Sequence, residues 1–200
     1  MSGLKSNQYG KAMVRVMKVL RGTQHEVCEL EADVLLRGDL EGSYFGPDNS
    51  SIVPTDTVKN TVHALAYDAL GTCRTSFAKV LGAHFLEHYV HLDGVSVELR
   101  ERRWKRMNVE NEGRAHSFVA EGNGEWFCRG EFARPGGEIL RAGIRNHLIM
   151  KTTGSGFAGY AQCELTTLPP TNDRILSTRL TAEWTFPIRR GITVPRTKRF

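Results

Sequence analysis

Long apolar runs are missing from this chain. No stretch approaches the roughly 20 residues that a membrane-spanning helix needs, so a helical span is not expected. The opening Met1-Ser2-Gly3-Leu4-Lys5 lacks the apolar centre of a signal peptide, and the closing Thr197-Lys198-Arg199-Phe200 is not the Ser-Lys-Leu peroxisomal address. Both point to a cytoplasmic location. Cysteine is sparse: Cys28, Cys73, Cys128 and Cys163 are far apart and form no Cys-x-x-Cys pair. That argues against a zinc site and against a disulfide framework, and leaves four free thiols expected as small core side chains. There is no His-Glu-x-x-His signature. His84, His88 and His91 fall at helical spacing, but without a carboxylate-bearing zinc motif they are expected to be partly buried, satisfied histidines and not ligands.

What is present is ordinary globular material. With 40% hydrophobic and 24% charged residues in 200, the chain can bury one sizeable core, or two small ones. The net charge is +5, and basic residues cluster in two places. One is Arg100, Arg102, Arg103, Lys105 and Arg106, expected to form a solvated strand face. The other is the tail Arg189, Arg190, Arg196, Lys198 and Arg199. Such charge suits a small anion as well as nucleic acid. No groove-reading motif accompanies it, so nucleic acid is not expected as a partner.

Periodicity then places the elements. Met13 to Leu20 is predicted as a strand, broken at Gly22-Thr23-Gln24. Cys28, Leu30, Ala32, Val34 and Leu36 alternate with Glu29, Glu31, Asp33 and Arg37, the period of a half-buried antiparallel strand, so the two segments make a long hairpin. Gly38 to Ser51 is a polar loop. Pro54-Thr55-Asp56 opens a helix in which Thr55 or Asp56 can cap the first turn, with Val58, Val62, Leu65 and Ala69 on one side. A second helix starts near Ser76 and ends at Gly94. Val95, Val97 and Leu99 begin a third strand, a bulge is expected near Glu101 to Trp104, Asn111-Glu112-Gly113 is a turn, and His116 to Phe132 is a fourth strand. Strands and helices in runs indicate an α+β layer, an antiparallel sheet with helices on one face. Arg134-Pro135-Gly136-Gly137 is the best boundary. It divides a unit over 1–135 from a second, partial unit over 136–200, which opens with strands over Ile139–Lys151 and Arg174–Phe186.

Three motifs carry more than structure. They are Tyr9-Gly10-Lys11, the stretch Ile52-Val53-Pro54-Thr55-Asp56-Thr57-Val58-Lys59-Asn60-Thr61, and Lys151-Thr152-Thr153-Gly154-Ser155-Gly156-Phe157. Thr166-Thr167-Leu168-Pro169 and Asp173-Arg174-Ile175-Leu176 follow in order. In identity and spacing these segments resemble the urate oxidase (uricase) family. The resemblance implies the tunnelling fold (T-fold), oxidation of urate by O2 to 5-hydroxyisourate and H2O2, no metal or organic cofactor, and a homotetramer whose sites are shared between subunits.

It also implies roles. Urate must lose a proton before its electrons can pass to oxygen, so a site needs a base, a relay, a clamp and a dry pocket. Lys11 matches the family's base; without the motif it would be an ordinary lysine at a strand start. Thr55, whose hydroxyl both donates and accepts, matches the proton relay, and otherwise is a helix cap. Asp56 would hold the substrate edge or orient the threonine. In the family, Thr55 and Asp56 serve a neighbouring subunit's site. Phe157 matches a stacking platform for the planar ring, and otherwise a core phenylalanine. Arg174 matches a two-pronged clamp, and otherwise an ion pair with Asp173 or Glu183.

The resemblance covers about the first two-thirds of a full member. The family's glutamine, asparagine, backbone amide and histidine contacts belong to the part without a counterpart here. Two other readings therefore stand beside the first. One is a truncated, inactive protein that only assembles or binds purine weakly; the other is a different T-fold enzyme acting on a purine or pterin.

Overall fold

A computed structural model describes residues 4–71, 73–110 and 112–186. Met1-Ser2-Gly3, the segment from Pro187 onward with its basic tail and C-terminal tripeptide, and Asn111 of the expected turn lie outside the described residues.

The chain forms β1 (Tyr9–Leu20), β2 (Glu26–Gly38), α1 (Glu41–Phe45), α2 (Thr55–Ala69), α3 (Arg74–His88), β3 (Leu92–Arg102), β4 (Trp104–Val109), β5 (Glu112–Ala120), β6 (Glu125–Ala133), β7 (Gly137–Lys151) and β8 (Leu176–Phe186). Six strands make one antiparallel sheet in the order β1-β2-β3-β6-β7-β8, and β4 and β5 form a separate hairpin. The helices α2 and α3 pack on one face, α2 over β1 and α3 over β3 and β6. This is the α+β layer that the periodicity predicts.

Alternation decides what is buried. On the covered face Leu30, Ala32, Val34 and Leu36 of β2 and Val95, Val97 and Leu99 of β3 meet Val58, Val62, Phe77, Leu81 and Phe85 from the helices in one core. The opposite face is charged. There Arg100 binds both Glu31 and Asp33, Arg145 binds Glu98 and Glu125, and Arg129 binds Glu98. The first basic cluster is solvated in part, with Arg102, Arg103 and Lys105 exposed. Arg100 is half-buried in this network, Arg102 and Arg103 pair with Glu29 and Glu121, and Arg106 donates to the Arg114 and Ala115 carbonyls. Glu29, buried at 4% exposure, accepts from the Trp104 indole N–H at 2.8 Å and so ties the start of the β4–β5 hairpin to the sheet.

Several boundaries differ from the sequence reading. The expected polar loop holds a short helix, α1. α3 begins at Arg74 and ends at His88; Gly94 lies inside β3, where the Arg37 guanidinium occupies the space of a side chain. The expected single strand from His116 to Phe132 is two, β5 and β6, in different sheets. The expected bulge near Trp104 is the point where the chain leaves the main sheet. Arg134 to Gly137 is a tight hairpin turn, and β6 and β7 pair directly across it. Cys28 and Cys128 are core residues, whereas Cys73 and Cys163 are exposed.

Candidate functional site

The residues singled out by motif fall into two groups. Lys11, Thr55 and Asp56 form the first. Tyr9 builds it: its hydroxyl accepts from the Val53 N–H at 2.6 Å and donates to the Val53 carbonyl at 3.2 Å. The start of β1 is thus fixed to Val53, two positions before Thr55. Gly10 permits the approach of β1 to β2, since a Cβ there would lie 2.0 Å from the Val34 carbonyl oxygen.

Pairing shows which way Lys11 faces. Its cross-strand partner is Val34, a core residue, so Lys11 lies on the helix-covered face of the sheet, at its exposed margin. Thr55 and Asp56 are the first two residues of α2 and are exposed. The predicted side-chain cap is not made. Pro54 is the N-cap residue and has no side-chain donor or acceptor to offer. The Asp56 carboxylate instead accepts from Lys59 and, at 2.9 Å, from the Asn60 amide. The Lys59 hydrogen bond and charge, with smaller help from Asn60 and from the nearby Lys11 ammonium, hold it below the usual carboxylate range. Lys11 and the start of α2 are therefore within electrostatic reach of one another.

Phe157 and Arg174 form the second group, in the long connection between β7 and β8. Phe157 and Thr171 exchange two backbone hydrogen bonds of 2.7 and 3.0 Å, which close this connection into a loop. Asp173 braces it, accepting from the Gly154 N–H at 2.7 Å and the Thr153 hydroxyl at 2.9 Å. Gly154 needs its glycine, with φ of 67°, and Gly156 lies so close to the Asn172 carbonyl that a side chain would collide with it. The Phe157 ring is stacked on Tyr160 at 4.7 Å and 9°, yet remains 44% exposed. The Arg174 guanidinium lies 5.5 Å from its centroid. Asp173 is committed to the loop, and Glu183 faces Arg129 and Arg141. Neither alternative partner forms an ion pair with the Arg174 side chain, and its buried Nε has no hydrogen-bond partner. The result is an exposed aromatic platform beside a planar guanidinium, which suits a flat molecule bearing adjacent acceptors.

The two groups do not meet within one chain. The register runs Lys11, Val34, Val97, Gly130, Leu140 across the sheet. That is about four strand spacings, or about 19 Å, and from Leu140 to the end of β7 at Lys151 is about 37 Å more along the strand. Lys11 and Phe157 thus sit at diagonally opposite corners of the sheet.

His84 and His88 stack on each other at 4.0 Å, and the His88 Nδ1 lies 2.9 Å from the His84 carbonyl. Among the described residues no group of three or more His, Cys, Asp or Glu side chains could hold a metal ion. Tyr9 and Asp173 fall inside the matching motifs, but neither is assigned a role in the site from the sequence. Tyr9 ties the strand that carries Lys11 to the entry of the helix that carries Thr55, and Asp173 braces the loop that carries Phe157 and Arg174; no residue pattern announces that.

Comparison with known proteins covers nearly the whole chain. The family profile described as Uricase matches residues 7–129 and 140–197. A uricase from Cyberlindnera jadinii is 42% identical over 185 residues, covering 90% of this chain and 61% of the relative. One from Dictyostelium discoideum is 38% identical, covering 93% of this chain and 66% of the relative. The crystal structure of uricase from Arthrobacter globiformis superposes with a TM-score of 0.78 at 34% identity, over 96% of this chain and 65% of that one. The sheet with its helices on one face is accordingly the T-fold architecture of these structures. The chain spans less than two-thirds of the length of these relatives. By profile, identity and fold alike, the chain belongs to the uricase family.

Proposed function

We propose that this chain acts in the oxidation of urate by O2 to 5-hydroxyisourate and H2O2, and that Lys11, Thr55, Asp56, Phe157 and Arg174 supply the contacts for that reaction which this chain contains. The observation that carries this reading is the Arg174 guanidinium placed 5.5 Å from the centroid of an exposed Phe157 ring. A planar purine anion can stack on the ring while its adjacent oxygen and nitrogen acceptors meet the guanidinium fork. Lys11 serves as the base and the Thr55 hydroxyl as the relay, with Asp56 holding the substrate edge or orienting Thr55. Membership of the uricase family favours urate over a pterin.

The wide separation of the two groups supports a shared site. Lys11, Thr55 and Asp56 of one copy would face Phe157 and Arg174 of another. The sheet also ends in two strands, β1 and β8, with unpaired edges among the described residues. Apolar side chains on β7 and β8, including Leu148, Met150, Leu180 and Trp184, are exposed. Open edges and apolar patches of this kind favour self-association, for which a homotetramer is the proposed state. Residues from 136 on are then the opening of a second unit whose sheet continues that of the first.

A second reading rests on coverage. The matched relatives extend well beyond the region aligned here, so a chain of this length can assemble and bind purine without turning it over. Loss of urate absorbance in the ultraviolet, together with equilibrium urate binding, separates the two. Turnover by the purified chain, unchanged by a chelator, supports the oxidase. Binding without turnover supports the second reading, and neither binding nor turnover overturns both.

A further inference from the structure

Lys11 faces α2 because β1 contains one residue too many. Between Lys11 and Val14 the strand advances three positions while its partner moves two, from Val34 to Ala32. Both Val34 and Ala32 are core residues, so Lys11 and Val14 share the helix-covered face although an odd number of positions separates them. In an unbroken strand, alternation from Val14 would turn Lys11 onto the opposite, charged face, away from Thr55 and Asp56.

The bulge is held by a specific contact. Met13 sits at φ 59°, the left-handed region that a methionine rarely adopts, and is 71% exposed, so packing of its side chain does not hold it there. Its N–H has left the ladder and donates to Asp33 Oδ1 at 2.7 Å. Asp33 in turn is gripped by Arg100, which donates to both of its oxygens at 2.8 Å while also binding Glu31 and lying 3.7 Å from Glu98. Burial pushes the Asp33 carboxyl up, but the hydrogen bonds from Arg100 and Met13 outweigh it and leave it below the usual carboxylate range.

We propose that Asp33 is a positioning residue for the base: by holding the Met13 N–H it stabilises the bulge that places Lys11 on the same side of the sheet as Thr55 and Asp56. The inference rests on the reading of Lys11 as the base, and it reaches across the sheet. A carboxylate on the charged face, itself fixed by Arg100, decides the direction of an amine on the other face.

The test uses the full chain with Asp33→Ala, Asp33→Asn and Lys11→Ala. Its primary readout does not need turnover: the rate at which an amine-acylating reagent labels Lys11, followed by peptide mass spectrometry, with Lys5 and Lys18 as internal references. Asp33→Ala is expected to change the Lys11 labelling rate at least about threefold relative to both references. It should lower kcat about 10- to 100-fold, the scale of a misplaced catalytic group, with a smaller change in KM. Asp33→Asn keeps an amide oxygen for the Met13 N–H and should restore part of both. A merely structural role would lower the melting temperature and leave relative labelling and the kcat-to-KM split unmoved. Unchanged Lys11 labelling in folded Asp33→Ala overturns the proposal whatever the activity. Should Asp33→Ala fail to fold, Asp33→Ser, whose side chain is too short to keep the acceptor in place for the Met13 N–H, takes its place, and unaltered Lys11 labelling in that variant overturns the proposal equally. Full activity in Lys11→Ala removes the function assigned to Lys11, while the labelling result still reports on the bulge.

Discussion

The Tyr9 hydroxyl satisfies both backbone groups of Val53, a residue only 2% exposed and two positions before Thr55. One phenol thus ties β1 to the entry of α2. Tyr9→Phe keeps the ring and removes the oxygen, leaving a buried N–H and C=O without a partner. The cost is about 1–3 kcal/mol, because an orphaned buried polar group loses its water without replacement. In urea unfolding the midpoint should fall with the slope unchanged. Activity should fall more than stability alone explains, since the α2 entry carrying Thr55 loses its tether to Lys11. A variant with unaltered midpoint would show that Val53 finds water instead.

The helix α3 is seated on the sheet by an absence. A Cβ on Gly82 would lie 2.2 Å from Cδ2 of Phe132, and that ring is itself pressed onto Gly130, where a Cβ would lie 2.5 Å from Cε2. Gly82→Ala sets two effects against each other. Alanine in a helix interior gains about 1 kcal/mol over glycine, while overpacking a filled core costs about 1–3 kcal/mol. Overpacking should win here, because the ring is held from both sides and cannot retreat. Net destabilisation by thermal unfolding, relieved when Gly82→Ala is combined with Phe132→Leu, is the expected result. A stabilised single variant would mean that α3 can shift outward freely.

Much of this architecture is written in period. Cys28 to Leu36 alternates cleanly, and its apolar set is the core face of β2; Val58, Val62 and Leu65 recur at helical spacing and are buried in α2. The failures have physical causes. Alternation cannot locate the start of β1 because the bulge between Lys11 and Val14 reverses parity there. The β4–β5 hairpin packs few side chains into the core, so burial imposes no pattern on it. Gly94 suggests a helix end, but its small size serves the Arg37 side chain instead. For the site, the five residues were legible only as members of motifs. That they occupy opposite corners of the sheet depends on register summed over several strands, which no local pattern encodes.

The Asp173 carboxylate makes the Phe157 loop sensitive to acid. Hydrogen bonds from Thr153, then from the Gly154 N–H, hold it below the usual carboxylate range. A depressed folded value means that the brace is fully present above the unfolded value, about 3.9, and is lost as pH falls through the lower, folded one. Loop protection should therefore be flat from neutral pH down to about 5 and decline only in stronger acid. Asp173→Asn should loosen the loop at every pH, because its amide group can accept only one of the two hydrogen bonds well. Hydrogen exchange at the Gly154 N–H measures both effects directly. Equal protection in parent and variant would place the brace elsewhere, in the Phe157–Thr171 bonds.

The separation of Lys11 from Phe157 leads to a mixing experiment. If each site takes Lys11 and Thr55 from one copy and Phe157 and Arg174 from another, then Lys11→Ala and Arg174→Ala are damaged in different halves. Alone, each variant has every site impaired. Unfolded and reassembled together at equal amounts, about a quarter of the sites pair an intact Lys11 half with an intact Arg174 half, and about a quarter combine both lesions. Activity, or urate binding where the chain does not turn urate over, should recover to about a quarter of the parent level. A site confined to one copy would give no recovery at all, because no copy in the mixture holds both intact residues. The experiment thus distinguishes assembly as a requirement of the site from assembly as mere packing, and it does so without knowledge of how many copies associate.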